Sequence, residues 1–313
     1  THGRPNRGPR RVHAGARTTT STEGTMGTLT IELAGCRYRV AGMTPGQLAL
    51  VRSRFDALLC RDDGGSDVAI DVHYRPNPAG VMQRPRGPAE YRVGVTYDRD
   101  SISAAGIGFT ANIDRQPLRA QLHTCLDDAW FVGAFENLFR VVASYRLFAE
   151  GGLVMHSAAF TDADRGFLFC GRSGAGKTTL CGLAEELELG ILSDELNAIV
   201  PQDGSFSILA MPFAGDFGAT PKRHPPYPLT ALMGLAHAPS PEVRGCSKGV
   251  AVSRIVASCP YVNADPLLID ELTARAVALV ARAPLRVLHF AKNPTFWHLL
   301  DHEYRSLDQP ISP

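Results

Sequence analysis

Residues Gly171, Arg172, Ser173, Gly174, Ala175, Gly176, Lys177 and Thr178, with Thr179 behind them, satisfy the pattern G-x-x-x-x-G-K-S/T without a mismatch. The apolar run Phe167-Leu168-Phe169-Cys170 precedes them as a short buried strand. Leu180, Leu183, Ala184 and Leu187 follow at helical spacing, which completes the strand–loop–helix context the pattern needs. In that context glycines let backbone N–H groups turn inward onto phosphate oxygens, and the helix N-terminus adds its partial positive charge. Lys177 then acts as a point charge on the β- and γ-phosphates, and Thr178 offers its hydroxyl to magnesium.

Such a loop needs a carboxylate for the metal, and group transfer needs a base. Asp194 and Glu195 end the run Leu189-Gly190-Ile191-Leu192, and Asp194 lies 17 positions beyond Lys177, enough for one helix and a return strand. Neighbouring residues leaving a strand face different sides, so the pair can divide the work, Asp194 to magnesium through water and Glu195 as general base. His156 stands in Leu153-Val154-Met155-His156-Ser157-Ala158, where a histidine is more often a core side chain than a catalytic one. Ser157 beside it suggests a hydrolase pair, but strand alternation turns the two apart.

Taken together, Leu153-Val154-Met155-His156, the stretch 166–179 and Ile191-Leu192-Ser193-Asp194-Glu195 resemble the catalytic domain of HPr kinase/phosphorylase, in the superfamily that also holds phosphoenolpyruvate carboxykinase. The resemblance covers 150–200 well and 200–313 in outline, where the chain is closer to HPr-kinase-related proteins that pair this domain with a different N-terminal one. It implies that His156 lies at the γ-phosphate and the acceptor, that the second acid takes the proton, and that ATP and Mg2+ are used. Glu195 stands where those enzymes have a second aspartate, and Met211-Pro212-Phe213-Ala214-Gly215-Asp216 replaces their arginine- and glycine-rich signature. The expected function is transfer of the ATP γ-phosphoryl group to a hydroxyl, foremost a serine of a protein or peptide. The alternative is an ATPase or nucleotide switch with water as the acceptor, and the family's oligomers leave room for a homo-oligomer.

The alternation of Leu29, Ile31, Leu33 and then Cys36, Tyr38, Val40 predicts a hairpin. Thr44-Pro45-Gly46-Gln47 is a capping box opening a helix with Leu48, Val51, Phe55 and Leu58 on one face. Strands are expected at Val68–Tyr74 and, after a Pro/Gly-rich loop at 76–88, at Tyr91–Tyr97. A second helix over roughly 127–149 presents Phe131, Phe135, Leu138, Val142 and Tyr145 and stops at Gly151-Gly152. Nothing in 27–148 carries nameable chemistry. Beyond it come strands 153–160 and 166–170, a helix 177–188, a strand 189–193, an irregular strand-like stretch to about 262, a helix opened by Asp265-Pro266, a strand 285–290, and a last helix capped by Asn293-Pro294. The fold class is therefore α/β, a phosphate-loop domain with a mixed sheet at 149–313, preceded by a small α+β domain at 27–148 and a disordered basic extension at 1–26.

With 32 basic and 31 acidic residues the formal charge is +1, which argues against a nucleic-acid-coating protein. No run approaches the roughly 18 uninterrupted apolar residues of a membrane helix. The 7 scattered cysteines have no paired or zinc-type spacing and read as reduced thiols of a cytoplasmic protein. The five arginines of 1–25 lack the apolar face of a targeting helix. Among weaker candidates, the loop Pro221-Lys222-Arg223-His224-Pro225-Pro226 could grip phosphate or an acidic acceptor, and Arg254 is a candidate transition-state cation. His298 and His302, four apart, read as a solvated helix face.

Overall fold

The computed structural model describes residues 26–61, 64–76, 93–213, 215 and 224–305. The basic extension, most of the loop 76–88, Tyr91, Asp216 and the Pro221–Arg223 part of the basic loop lie outside the described residues. The described residues form an α/β protein with two mixed sheets of eight strands each.

In the first sheet, β1 (Gly27–Leu33) and β2 (Cys36–Met43) form the expected hairpin, with Ala34 and Gly35 at positive φ in the turn. The helix α1 (Pro45–Arg54) starts at the capping box: Gln47 N donates to Thr44 Oγ1 at 3.2 Å and Thr44 N donates to Gln47 Oε1 at 2.9 Å. The strands β3 (Leu59–Cys60), β4 (Val68–Tyr74), β5 (Gly94–Tyr97), β6 (Ser101–Gly106), β7 (Phe109–Arg115) and β8 (Leu118–Thr124) complete the order β3-β1-β2-β4-β8-β7-β6-β5. Only β4 runs parallel to its neighbours, β2 and β8. The strands β6 to β8 have no counterpart in the sequence reading, because Ser101–Gly106 is built from Ser, Ala and Gly with a single large apolar residue, Ile102.

The helix α2 (Ala129–Ala149) is capped by Asp128, whose carboxylate accepts from Trp130 N at 3.1 Å. Its expected apolar face is buried, and Phe139 adds to it, edge-on to Tyr38 and Phe55 from the first sheet's layer and to Phe213 from the second half. The core around α2 is continuous with Val154, Leu196, Leu209 and Met211, so one apolar cluster joins both sheets.

In the second sheet, β9 (Leu153–Asp162) changes partner along its length. Its first residues pair with β12 (Leu196–Gln202), and from Ser157 onward it pairs with β10 (Arg165–Cys170), with β11 (Gly190–Ser193) alongside. The hairpin of β12 with β13 (Ser205–Ala210) leads to β14 (Tyr227–His237), which runs parallel to both β10 and β16 (Arg286–Phe290). An edge strand, β15 (Glu242–Gly245), pairs antiparallel with β16. On one face α3 (Lys177–Glu186) and α6 (Thr295–Arg305) cover Phe160, Phe167 and Phe169. On the other, α4 (Lys248–Ser258) and α5 (Ile269–Arg282) cover Met155, Leu168 and Cys170. Burial on both faces explains why 167–170 reads as an unbroken apolar run.

The stretch 200–262, expected to be mostly irregular and strand-like, holds the strands β13, β14 and β15 and, unexpectedly, the helix α4. Its Val-, Gly- and Ser-rich helix Lys248–Ser258 has little helical propensity of its own. It is fixed by the Ser247 cap and by burial of Ala251 and Ile255. Among the described residues no helix is long and apolar enough to cross a membrane.

Candidate phosphate-loop site

At Cys170 β10 delivers the chain to the loop 171–176, and α3 begins at Lys177. Gly176 has φ 99°, and a Cβ there would stand 2.8 Å from Phe290 Cζ, so conformation and space both require glycine. Lys177 is buried, and its Nζ donates to the carbonyl oxygens of Gly171 at 3.1 Å and Arg172 at 3.4 Å. Burial pushes the Lys177 ammonium below its usual pKa, while the Glu195 and Asp194 carboxylates pull it back up. The ammonium thus rests on neutral acceptors from which an anion can draw it.

Asp194 and Glu195 occupy the junction where β11 passes into β12, and the chain turns their side chains apart. Thr178 Oγ1 donates to Asp194 Oδ2 at 2.8 Å. Glu195 Oε2 lies 3.7 Å from His156 Nδ1, and its Oε1 lies 3.5 Å from Arg140 Nη1. Burial, and then Lys177, hold the His156 imidazole below its ordinary pKa against the opposing pull of Glu195. Ser157 points the other way, fully buried, with its Oγ donating to Met155 O at 3.1 Å, so the two neighbours do not meet as a hydrolase pair.

His156, Ser173, Gly174, Gly176, Lys177, Thr178, Thr179, Asp194 and Glu195 all line one cavity of about 330 Å³, which His237 and Lys292 also border. Across the loop lies a second cavity of about 860 Å³, walled by Gly171, Arg172, Ala175, Leu235, Ser253 and Arg254 and again touched by His156. His156 therefore stands in the wall between them. Arg254 lies against the backbone of Gly234, where a Cβ would come within 2.8 Å of its Nη1. The remaining weak candidates are not gathered here. His224 lines a separate cavity beside Glu32, Leu33 and Pro201, and His298 and His302 are exposed on α6. No group of three or more His, Cys, Asp or Glu side chains fit to hold a metal occurs among the described residues.

Four residues at the site escaped the sequence reading. His237 Nε2 lies 3.1 Å from Gly174 O, and Lys292 borders the same cavity. Gly215 sits over the acidic pair, where a Cβ would meet Asp194 Oδ1 at 2.3 Å. Arg140 comes from α2, within the stretch in which the sequence shows no nameable chemistry, and its Nη1 lies 3.5 Å from Glu195 Oε1. Its only trace in the sequence was as one of two arginines, with Arg146, in the largely apolar run 131–148. No protein-family model matches the chain, and no curated protein matches it.

Proposed function

We propose that this protein is an ATP- and magnesium-dependent kinase with an HPr-kinase-like phosphate-loop fold, and that it transfers the γ-phosphoryl group to a hydroxyl, foremost a serine of a protein or peptide. The reading is carried by one observation: the Thr178–Asp194 pair and the His156–Glu195 pair flank Lys177 in a single cavity. The residues present fit the implied ion, since a hydroxyl and a carboxylate 2.8 Å apart are hard oxygen donors beside a cradle of backbone N–H groups. Thr178, and Asp194 through water, would hold magnesium, which supplies charge neutralisation on the phosphate oxygens when bound.

The chain's own residues do the rest. Lys177 exchanges the carbonyls of Gly171 and Arg172 for phosphate oxygens, a gain in charge-assisted hydrogen bonding. Glu195 accepts the proton of the acceptor hydroxyl as its oxygen bonds to the γ-phosphorus. The bond from that phosphorus to the bridging oxygen breaks, and its electron pair leaves with ADP. The neutral imidazole favoured at His156 adds no positive charge that would compete for Glu195, and it stands where an acceptor reaching in from the larger cavity would pass. Arg254, in the wall of that cavity, is placed to meet negative charge on the transferred group.

The test incubates the protein, its Lys177→Ala variant and its Glu195→Gln variant with γ-labelled ATP, magnesium and a size-fractionated lysate. Label on a protein or peptide with wild type, none with Lys177→Ala, and retained ATP binding with transfer cut to a small residual rate in Glu195→Gln are the expected results. Label released solely as free phosphate would move the assignment to an ATPase, and a Glu195→Gln variant with wild-type transfer would remove the base role.

A further inference from the structure

Glu195 is held from two sides, and one of them belongs to the other sheet's layer. Arg54 on α1 pairs with Glu136 on α2 at 2.5 Å, Glu136 lies 3.9 Å from Arg140 one turn further on, and Arg140 lies 3.5 Å from Glu195. The charges alternate along this row, which ends at His156. The guanidinium of Arg140 is further fixed over the ring of Phe213, 5.4 Å from its centroid, and Phe213 in turn packs edge-on against Phe139. Arg54 Nη2 donates to Pro212 O at 3.1 Å, so the same row clamps the segment that brings Gly215 over the acidic pair.

We infer that Arg140 is a positioning residue for Glu195, holding one carboxylate oxygen so that the other faces His156 and the acceptor hydroxyl. The inference rests on the kinase reading for its consequence, not for its geometry. A glutamate has one more rotatable bond than an aspartate, so at this position it needs a second anchor to keep its oxygens in a productive orientation. The fork of Arg140, half-buried and already oriented by Glu136 and Phe213, supplies it at little further entropic cost. Lys177 faces Glu195 from the phosphate-loop side, and Tyr261 adjoins it from the turn before α5, but neither offers a second planar fork. The layer around the first sheet thus completes the catalytic site by reaching into it.

The experiment has two arms. In the first, kcat and KM for ATP and for the labelled acceptor are compared among wild type, Arg140→Met, Arg140→Lys, Glu195→Gln and the Arg140→Met/Glu195→Gln double variant. The expected pattern is a fall in kcat of ten- to a hundredfold in Arg140→Met with KM for ATP unchanged, partial rescue in Arg140→Lys, and no further loss on adding Arg140→Met to Glu195→Gln. Additive losses in the double variant would overturn the inference. In the second arm, guanidinium resonances of arginine-labelled protein are assigned with Arg140→Met and followed on introducing Glu195→Gln. The Arg140 signals are expected to move, and unmoved signals in a folded variant would overturn the contact. This arm needs no turnover, so a wild-type protein that transfers nothing would defeat the kinase reading while leaving the placement of Glu195 by Arg140 still decided by the resonances.

Discussion

Around the first sheet buried Gln47 and Thr124 bond to backbone carbonyls, whereas in the second half three buried side chains, Lys177, Asp194 and Asp265, are charged. Gln47 caps α1 and donates to Leu126 O at 2.7 Å, and Thr124 Oγ1 donates to Gly108 O at 2.8 Å. On the other side stand Lys177 and Asp194 at the phosphate loop and the fully buried Asp265, which meets Arg115 at 2.7 Å and Tyr145 Oη at 2.7 Å. Burying a charge is costly unless it is paired, and replacing such a pair by apolar groups is often neutral for stability. Here the buried charges stand at the loop 171–176 and at the seam where α2 meets the second half. The first layer is scaffold, apart from the arginine it extends across the seam.

The comparison is most exposed to failure at Phe139, which belongs to the core of both sheets. Phe139→Ala is expected to cost roughly 3–5 kcal/mol, read from denaturant unfolding. Because its neighbours Tyr38, Phe55 and Phe213 come from both halves, the two should unfold in one transition. Two separated transitions would show that the layers are independent.

Thr178→Ala sharpens the other side of the contrast, since it removes a hydroxyl that meets Asp194 and leaves the apolar core alone. The magnesium concentration needed for half-maximal ATP binding should rise about tenfold, equivalent to about 1.4 kcal/mol. An unchanged magnesium requirement would take Thr178 out of the metal site. In the scaffold the reverse pattern is expected. Thr44→Ala should lose about 1 kcal/mol of stability through the capping box, while ATP binding measured by calorimetry stays at the wild-type value.

The smallest effect concerns pH, and each side contributes one group. His123, stacked on His73 with ring centroids 4.7 Å apart, and His156 both have pKa values held below the ordinary 6.5, in each case chiefly by burial. Above that value the imidazoles are neutral whether the chain is folded or not, and stability is at its full level. As the pH falls below it, the unfolded chain takes up protons that the native state resists, so stability declines until the folded pKa values are passed. His123→Gln and His156→Gln should each flatten the acid side of a plot of Tm against pH. Only His156→Gln should also alter phosphoryl transfer, and an effect of His123→Gln on transfer would erase the division between scaffold and site.

Much of this was legible in the residues themselves. The hairpin, the capping box at Thr44, the α2 face and the strand–loop–helix around 167–187 are each set by side chains a few positions apart, because local dihedral preferences and period-2 or helical burial act over that range. The region 101–124 was read less well: Phe109, Ala111, Ile113 and Leu118, Ala120, Leu122 do alternate, but small alanines weaken the pattern and Ser101–Gly106 has one large apolar residue. α4 was hidden because its helicity comes from burial rather than from propensity.

By itself, then, the sequence determined the strand–loop–helix around 171–176 and the placing of Lys177, Thr178 and the acidic pair within that unit and its return strand. The tertiary structure alone decided that Arg140 meets Glu195, that Gly215 lies on Asp194 and that Arg254 borders the cavity at His156. Those approaches join segments far apart along the chain. They follow from how α2 and α4 seat their apolar faces on the sheets, a choice made by the whole core and recorded in no short stretch of residues.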